Sequence, residues 1–455
     1  MQSQVSLLPI SIERKYLPLA LAGMILLFSV LLADENHQIA KHQYGGFATI
    51  YGASSAMRLG VSPYLRVPGR YSYVYPPLYA FLGRPLLSVS LEGAARWMML
   101  LDTACVLIAM LLLSKTMLSR LGVIPKASRI LIVALSSSLI LVAPIRNELH
   151  GLESNAPILL CFVLALHWVD RRPILAGLAL AVAINIKYLP VVLIPYLLLR
   201  RRWSVAGATF LWTIALAMLP AFATGWSTNI HYLKVAIGGL LHLTSNVARG
   251  GEVANVPVLT QSTSLSITSG IARLSLQHGW SQGVAGGVAL LVAAIWAAVI
   301  VAMLKSKKFP VFRWPSATLQ QSTPWNGLVA IEWAFLIVTI LSLGPNTQDR
   351  LLLLAAFPIT LALTLAWFAA PRPNPAILAT GIIIMALGVL LPVAFMGRGF
   401  TERWREASMP GWFVLVGFAL IAWSALNYAA SALPPTGRPT SNTTARVVTR
   451  FFGRV

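Results

Sequence analysis

The sequence predicts an all-α, polytopic membrane protein: a bundle of about twelve transmembrane helices with two long outer loops. Three observations carry this. Of 455 residues, 57% are hydrophobic and 11% charged, with mean hydropathy +0.74, whereas an ordinary soluble domain carries about 25% charged residues. Apolar runs recur along the chain, several of them long enough to cross a hydrocarbon core about 30 Å thick as a helix. The cations gather in the short links between those runs, which is the topology signal of a membrane protein.

The predicted helices, in order, occupy residues 16–33, 97–113, 130–145, 156–169, 175–186, 189–199, 203–223, 283–304, 327–343, 351–368, 377–395 and 412–430. Twelve crossings put both termini in the cytoplasm. The first run follows Arg14 and Lys15 and exceeds the usual length of a signal-peptide core, which favours a retained helix over a cleaved leader. Alternation then places Lys115/Arg120/Lys126/Arg129, Asp170-Arg171-Arg172, Arg200-Arg201-Arg202, Lys305/Lys307/Lys308/Arg313, Arg372 and the tail arginines on the cytoplasmic side, in agreement with the positive-inside rule.

One stretch is exceptional. Arg172 and Arg200 should share a side, yet the mostly apolar residues between them are too few to cross twice at full length. A hairpin of two short limbs, turning near Asn185, Lys187 and Pro190, resolves the conflict; a single tilted helix is the alternative and would invert every later crossing.

The outer loops span residues 34–96 and 224–281. In the first, Phe47, Ile50, Tyr51, Ser54 and Met57 recur at helical spacing, closed by Gly60 and Pro63, which predicts a short helix on the membrane surface. The segment YPPLYAFLGRPLL is apolar but interrupted by prolines, so it should dip into the interface without crossing. Residues 1–433 form the membrane domain, and 434–455 a basic, partly disordered cytoplasmic tail. Cys105 and Cys161 both fall in apolar runs and read as packing residues.

The balance of 35 Lys and Arg against 13 Asp and Glu, a net charge of +22, implies anionic lipid headgroups as neighbours. No basic soluble module exists to carry nucleic acid. Nor is there a Walker motif or nucleotide-binding glycine loop. His150 beside Glu148 and Glu153 reads as polar contacts in a turn sooner than as a metal site.

The order of motifs resembles the membrane-embedded GT-C glycosyltransferases, specifically family 87, the polyprenol-phosphate-mannose-dependent mannosyltransferase type. The resemblance rests on TIYGASSAMRLGVSPY followed by YVYPPLYAFLGRPLL; on LESNAPILLCFVLALHWVDRRPILAGLALAVAINIKYLPVVLIPYLLLRRRW, where Glu153 takes the Gln place of a Gln-x-Asn pattern, Asn155 its Asn, and Lys187 with Pro190 a Lys-x-x-Pro; on Gln261-Ser262; and on LSLGPNTQDRLLLLAAFP. It departs at one point: members usually carry an Asp four or five residues before the tyrosine matching Tyr51, where this chain has Phe47 or Gly46. The nearest acids upstream, Asp34 and Glu35, resemble instead the acidic pair of other GT-C enzymes.

The resemblance implies a GT-C-like bundle that moves a hexose, mannose foremost, from a polyprenyl-phosphate sugar to a lipid or glycan acceptor on the extracytoplasmic face of the cell membrane. Such a transfer needs a carboxylate near the acceptor hydroxyl and cations around the departing phosphate. Asp34, with Glu35 orienting or substituting for it, is the expected base, and Asp102 and Glu153 stand next in line. Lys187, Arg350, Arg146, Arg66 and Arg70 are the expected phosphate neighbours, with Glu153, Asn155, Tyr75 and Gln261 as further substrate contacts. The phosphate is already a good leaving group, so neither a metal nor another cofactor is called for. Two bland readings stand beside these: Asp34 and Glu35 as solvated stops at a helix end, and Asp349-Arg350 as a local ion pair. A lipid-linked substrate transporter or flippase is the competing class. A transporter should show a midplane site between related halves, whereas an enzyme should gather Asp34, Lys187 and Arg350 around one outward cavity.

Overall fold

A computed structural model describes residues 10–64, 73–243, 259–311, 323–370, 373–390 and 393–431. Among these residues the regular structure is helical throughout. Arg66 and Arg70, residues 244–258 of the second loop, and the tail from 432 lie outside the described residues.

Over its described residues, each of the twelve apolar runs is mainly helical. Helix α1 is Ile10–Ala40, α4 Leu91–Arg120, α5 Ala127–Ile140, α6 Val142–Gly151, α7 Asn155–Trp168, α8 Pro173–Ile186, α9 Leu193–Leu199 and α10 Trp203–Met218. The first outer loop holds α2 (Phe47–Arg58) and α3 (Pro77–Leu82), the latter followed by a 3-10 turn, Arg84–Ser88. A short α11 (Ala221–Thr224) ends the run begun by α10, and the second outer loop holds α12 (Trp226–Leu243) and α13 (Ile267–Gln277). Then come α14 (Gln282–Ser306), α15 (Thr323–Leu343), a 3-10 segment Asp349–Ala355 leading into α16 (Ala356–Phe368), α17 (Pro375–Leu390), α18 (Val393–Glu406) and α19 (Met409–Ser431).

The count of full-length crossings is lower than expected. Among the described residues seven helices are long and apolar enough to span a membrane, or eight if α5 and α6, bent by 72° relative to each other, form one span. The other four runs, α7, α8, the Leu189–Leu199 limb and α17, are shorter apolar helices. Two of these four, α7 and the Leu189–Leu199 limb, line the cavity described below, and α8 ends at it, capped by Lys187. Helix α15 and the Asp349–Phe368 span are the most enclosed, whereas α1, α10 and α14 leave most of their surface open, as lipid-facing helices do.

The conflict between Arg172 and Arg200 is resolved as a hairpin. The backbone at Lys187 is extended, at φ −152° and ψ 132°, and a 3-10 turn, Leu189–Val192, follows it. The Asn185 amide donates to the Thr213 carbonyl at 3.1 Å, and a Cβ on Gly177 would meet Ala208 and Thr209. Residue 177 thus pairs with 208 and residue 185 with 213, so α8 and α10 run parallel. The limb between them must return, and Asp170 and Arg202 meet as an ion pair at the end it returns to.

That end, the basic end, is tied by buried polar contacts. Arg120 donates to Asp170 at 2.9 Å and to the Leu166 carbonyl at 2.5 Å. Arg200 and Glu332 form a buried pair, with Tyr196 donating to Glu332 at 2.8 Å. At the opposite, loop end, the spacing over 47–57 does form a helix, α2, but its apolar face is covered by protein. Phe47, Ile50, Ala53 and Met57 are all buried, and Tyr64, Tyr73 and Tyr232 join the two outer loops in one aromatic cluster.

Candidate active site

The site is built where three helical breaks meet. Helix α6 ends at Leu152, a left-handed residue with φ 46°, and α7 begins three residues on. Between them Glu148 turns back and caps α7: its carboxylate accepts from the Asn155 N–H at 2.7 Å, the Asn155 side-chain amide at 2.7 Å and the Ala156 N–H at 3.0 Å. A carboxylate at a helix N-terminus satisfies orphan donors and complements the dipole. It also fixes which way Asn155 points. With its NH₂ on Glu148, the Asn155 oxygen accepts from the Lys187 ammonium at 3.2 Å. Lys187 reaches it because the α8 helix breaks there, and its ammonium lies 5.9 Å from the centre of the Tyr75 ring, a cation–π distance.

The third break is the 3-10 segment after α15. There Arg350 donates to Glu153 Oε1 at 2.5 Å, across a turn whose Gly151 has no room for a Cβ against the Arg350 side chain. Asp349 does not pair with its neighbour Arg350: its Oδ2 accepts from Arg405 on α18. Tyr79 donates to the Glu153 carbonyl at 3.1 Å, which ties α3 to the same turn. Burial, followed by the negative charge of Glu153, pushes the Tyr75 phenol well above its ordinary range, so it remains a neutral donor.

These groups line one cavity of about 890 Å³. Its lining is polar at Tyr75, Glu153, Asn155, Lys187, Asp349 and Arg350, and apolar at Val191 and Val192 of the hairpin and at Leu336, Ile340 and Leu343 of α15. Val191 and Val192 are themselves partly exposed, at 46% and 43%. Among the described residues no three His, Cys, Asp or Glu side chains are grouped as a metal site.

The sequence-predicted residues divide cleanly. Tyr75, Glu153, Asn155, Lys187 and Arg350 converge on the cavity, whereas Asp34, Glu35, Arg146 and Gln261 are absent from its lining. Helix α1 does not stop at Asp34; it continues to Ala40. Asp34 accepts from the exposed Arg146 at 2.7 Å, and Glu35 is buried with Oε2 3.4 Å from His150 Nδ1. Arg273 donates to the Gln261 carbonyl at 2.8 Å, holding the second outer loop. Asp102 is buried in α4 and its carboxylate oxygens have no hydrogen-bond partner in the structure.

Two features escaped the sequence reading. Glu332, an acid inside an apolar span, had a visible signal in its isolation. The glycine pair Gly45-Gly46 had a weaker one. Gly45 has φ +51°, and a Cβ there would strike the carbonyls of the α6 turn; the Gly46 N–H donates to the Gly151 carbonyl at 2.8 Å.

The sequence comparison agrees with this assembly. No curated protein is significantly similar to the chain. The family model described as glycosyltransferase family 87 matches residues 73–320, more than half of the 455, and that stretch contains Tyr75, Glu153, Asn155 and Lys187 of the cavity. This multi-pass membrane protein, with its cations and carboxylate gathered at three helix breaks, belongs to glycosyltransferase family 87.

Proposed function

We propose that the protein transfers a hexose, with mannose the first candidate, from a polyprenyl-phosphate sugar to a lipid or glycan acceptor on the extracytoplasmic face of the cell membrane. The observation that carries this reading is the mixed lining of one cavity: the cations Lys187 and Arg350 together with the apolar side chains of Val191, Val192, Leu336 and Ile340. A polyprenyl phosphate has the same division of chemistry. Its phosphate suits the ammonium and guanidinium, and its hydrocarbon suits the hairpin and α15.

In this reading the Lys187 ammonium, aimed by Asn155, and the free N–H groups of Arg350 bind the phosphate. They stabilise the charge that grows on it as the bond to the sugar breaks, and fixed cations in a site away from bulk water do this well. Tyr75 offers a neutral hydroxyl and a ring face to the sugar. In this reading both termini are cytoplasmic, with the basic links beside anionic lipid headgroups, and the cavity opens on the opposite side; the positive-inside pattern supports that orientation.

The test is transfer by the purified protein in proteoliposomes offered a panel of polyprenyl-phosphate sugars. Labelled product from at least one, lost on K187A, is the expected result. Failure with every lipid-linked donor, together with scrambling of those donors across the bilayer, would replace the enzyme reading with a flippase.

A further inference from the structure

We infer that Glu153 is the general base of the transfer, delivered to the cavity across a glycine at position 46. The inference rests on the transferase reading above and goes beyond it by choosing among six acids. Glu148 spends its carboxylate on the N-terminus of α7. Asp102 is fully buried and does not line the cavity. Asp34 is paired to Arg146 and Glu35 is buried beside His150, both off the cavity. Asp349 reaches the lining, but Oδ2 is held by Arg405 and Oδ1 is sealed inside the protein. Glu153 alone of the six lines the cavity in contact with a phosphate-binding candidate, its Oε1 2.5 Å from Arg350.

The backbone has been cleared for it. A Cβ on Gly46 would lie 2.5 Å from Glu153 Oε1 and 2.7 Å from Glu153 Cγ, so the carboxylate occupies the space that a side chain at 46 would fill. The Gly46 N–H donates to the Gly151 carbonyl at 2.8 Å, locking the two segments in that register.

In the step, the acceptor hydroxyl gives its proton to the Glu153 carboxylate as its oxygen bonds to the anomeric carbon. The bond from that carbon to the phosphate oxygen breaks, and its electron pair leaves on the polyprenyl phosphate held by Lys187 and Arg350. Water then takes the proton from Glu153.

The experiment uses the full-length protein in proteoliposomes, with whichever polyprenyl-phosphate sugar the wild type accepts. E153Q keeps the shape and an oxygen for Arg350 but cannot take a proton, so kcat should fall about 100-fold or more while the donor KM changes less than about threefold. E153A should be equally slow, and G46D/E153A, which returns a carboxylate to the same space from the other segment, should recover about tenfold over E153A. D34N/E35Q should stay within about threefold of wild type. E153Q retaining more than a third of wild-type kcat, or losing only KM as a mere anchor of Arg350 would, overturns the assignment; so does loss of turnover in D34N/E35Q with E153Q active. A wild type inactive with every polyprenyl-phosphate sugar sinks the transferase reading itself, and the base assignment with it.

Discussion

Asp170 and Arg202, 32 positions apart, are joined by an ion pair at the basic end of the bundle. One precedes α8 and the other precedes α10, so the chain leaves that end and comes back to it within the intervening segment. Arg120 binds the same carboxylate at 2.9 Å, which pins α4 to both limbs of the hairpin. The hairpin tip therefore stands at a fixed depth, with Lys187 at its first turn.

The hairpin makes a labelling prediction. Arg171 and Arg201 are both exposed, so single cysteines there, in a background lacking Cys105 and Cys161, should react with a membrane-impermeant maleimide from one side only, the cytoplasmic one. A cysteine replacing the exposed Gln277 should react from the other. Opposite-side labelling of positions 171 and 201 would mean a single crossing helix.

How much of this was legible follows from where the information resides. The helices were readable because a long apolar run in lipid must satisfy its own backbone, which only a helix does within one segment. The hairpin was readable because Arg172 and Arg200 both demanded the same side. The extension of α1 was readable in principle and missed: Leu31, Glu35 and Ile39 recur every four residues and all three are buried, so Glu35 faces inward on a continuing helix instead of ending it. The pairing of Arg350 with Glu153 was not legible, because it joins residues 197 apart. The expected Asp349-Arg350 pair fails for a local reason, since neighbours on a 3-10 turn diverge to different partners, Arg405 and Glu153.

Glu332 and Arg200 give a stability prediction. Both side chains are buried, at 6% and 5% exposure, and breaking such a pair strands a charge. E332A should lower stability by about 3–5 kcal/mol, read by thermal or SDS unfolding in detergent micelles. Replacing both partners, as R200M/E332M, should recover part of that loss, because no charge is then stranded, although the Tyr196 hydroxyl and the Pro310 carbonyl lose their partners. A double variant no better than E332A would show that the pair itself is required.

Lys187 and Asn155 predict a graded series in transfer. K187A removes a cation from the phosphate end and should cost about 10²–10³-fold in turnover. N155A leaves the ammonium but not its aim, and should cost about tenfold. N155D should be worse than N155A, because it sets a second carboxylate against Glu148, which donors alone now surround. The ranking is read from initial rates at saturating donor; equal rates for K187A and wild type would remove Lys187 from the site.

Gly177 tests whether hairpin placement governs the site. A Cβ there would come within 2.6 Å of the Ala208 Cβ and 2.7 Å of the Thr209 backbone nitrogen, so α8 and α10 touch backbone to backbone, as helices in membranes do at small residues. G177V should push the helices apart, costing about 1–3 kcal/mol as overpacking does. It should also slow transfer, because Lys187 caps the same helix. Gly207 is the control: a Cβ on it meets nothing within 4 Å, and G207A should leave transfer unchanged and stabilise α10 by up to about 1 kcal/mol. If G177V kept both full stability and full activity, the close approach of α8 to α10 would not be what holds Lys187 at the phosphate end of the cavity.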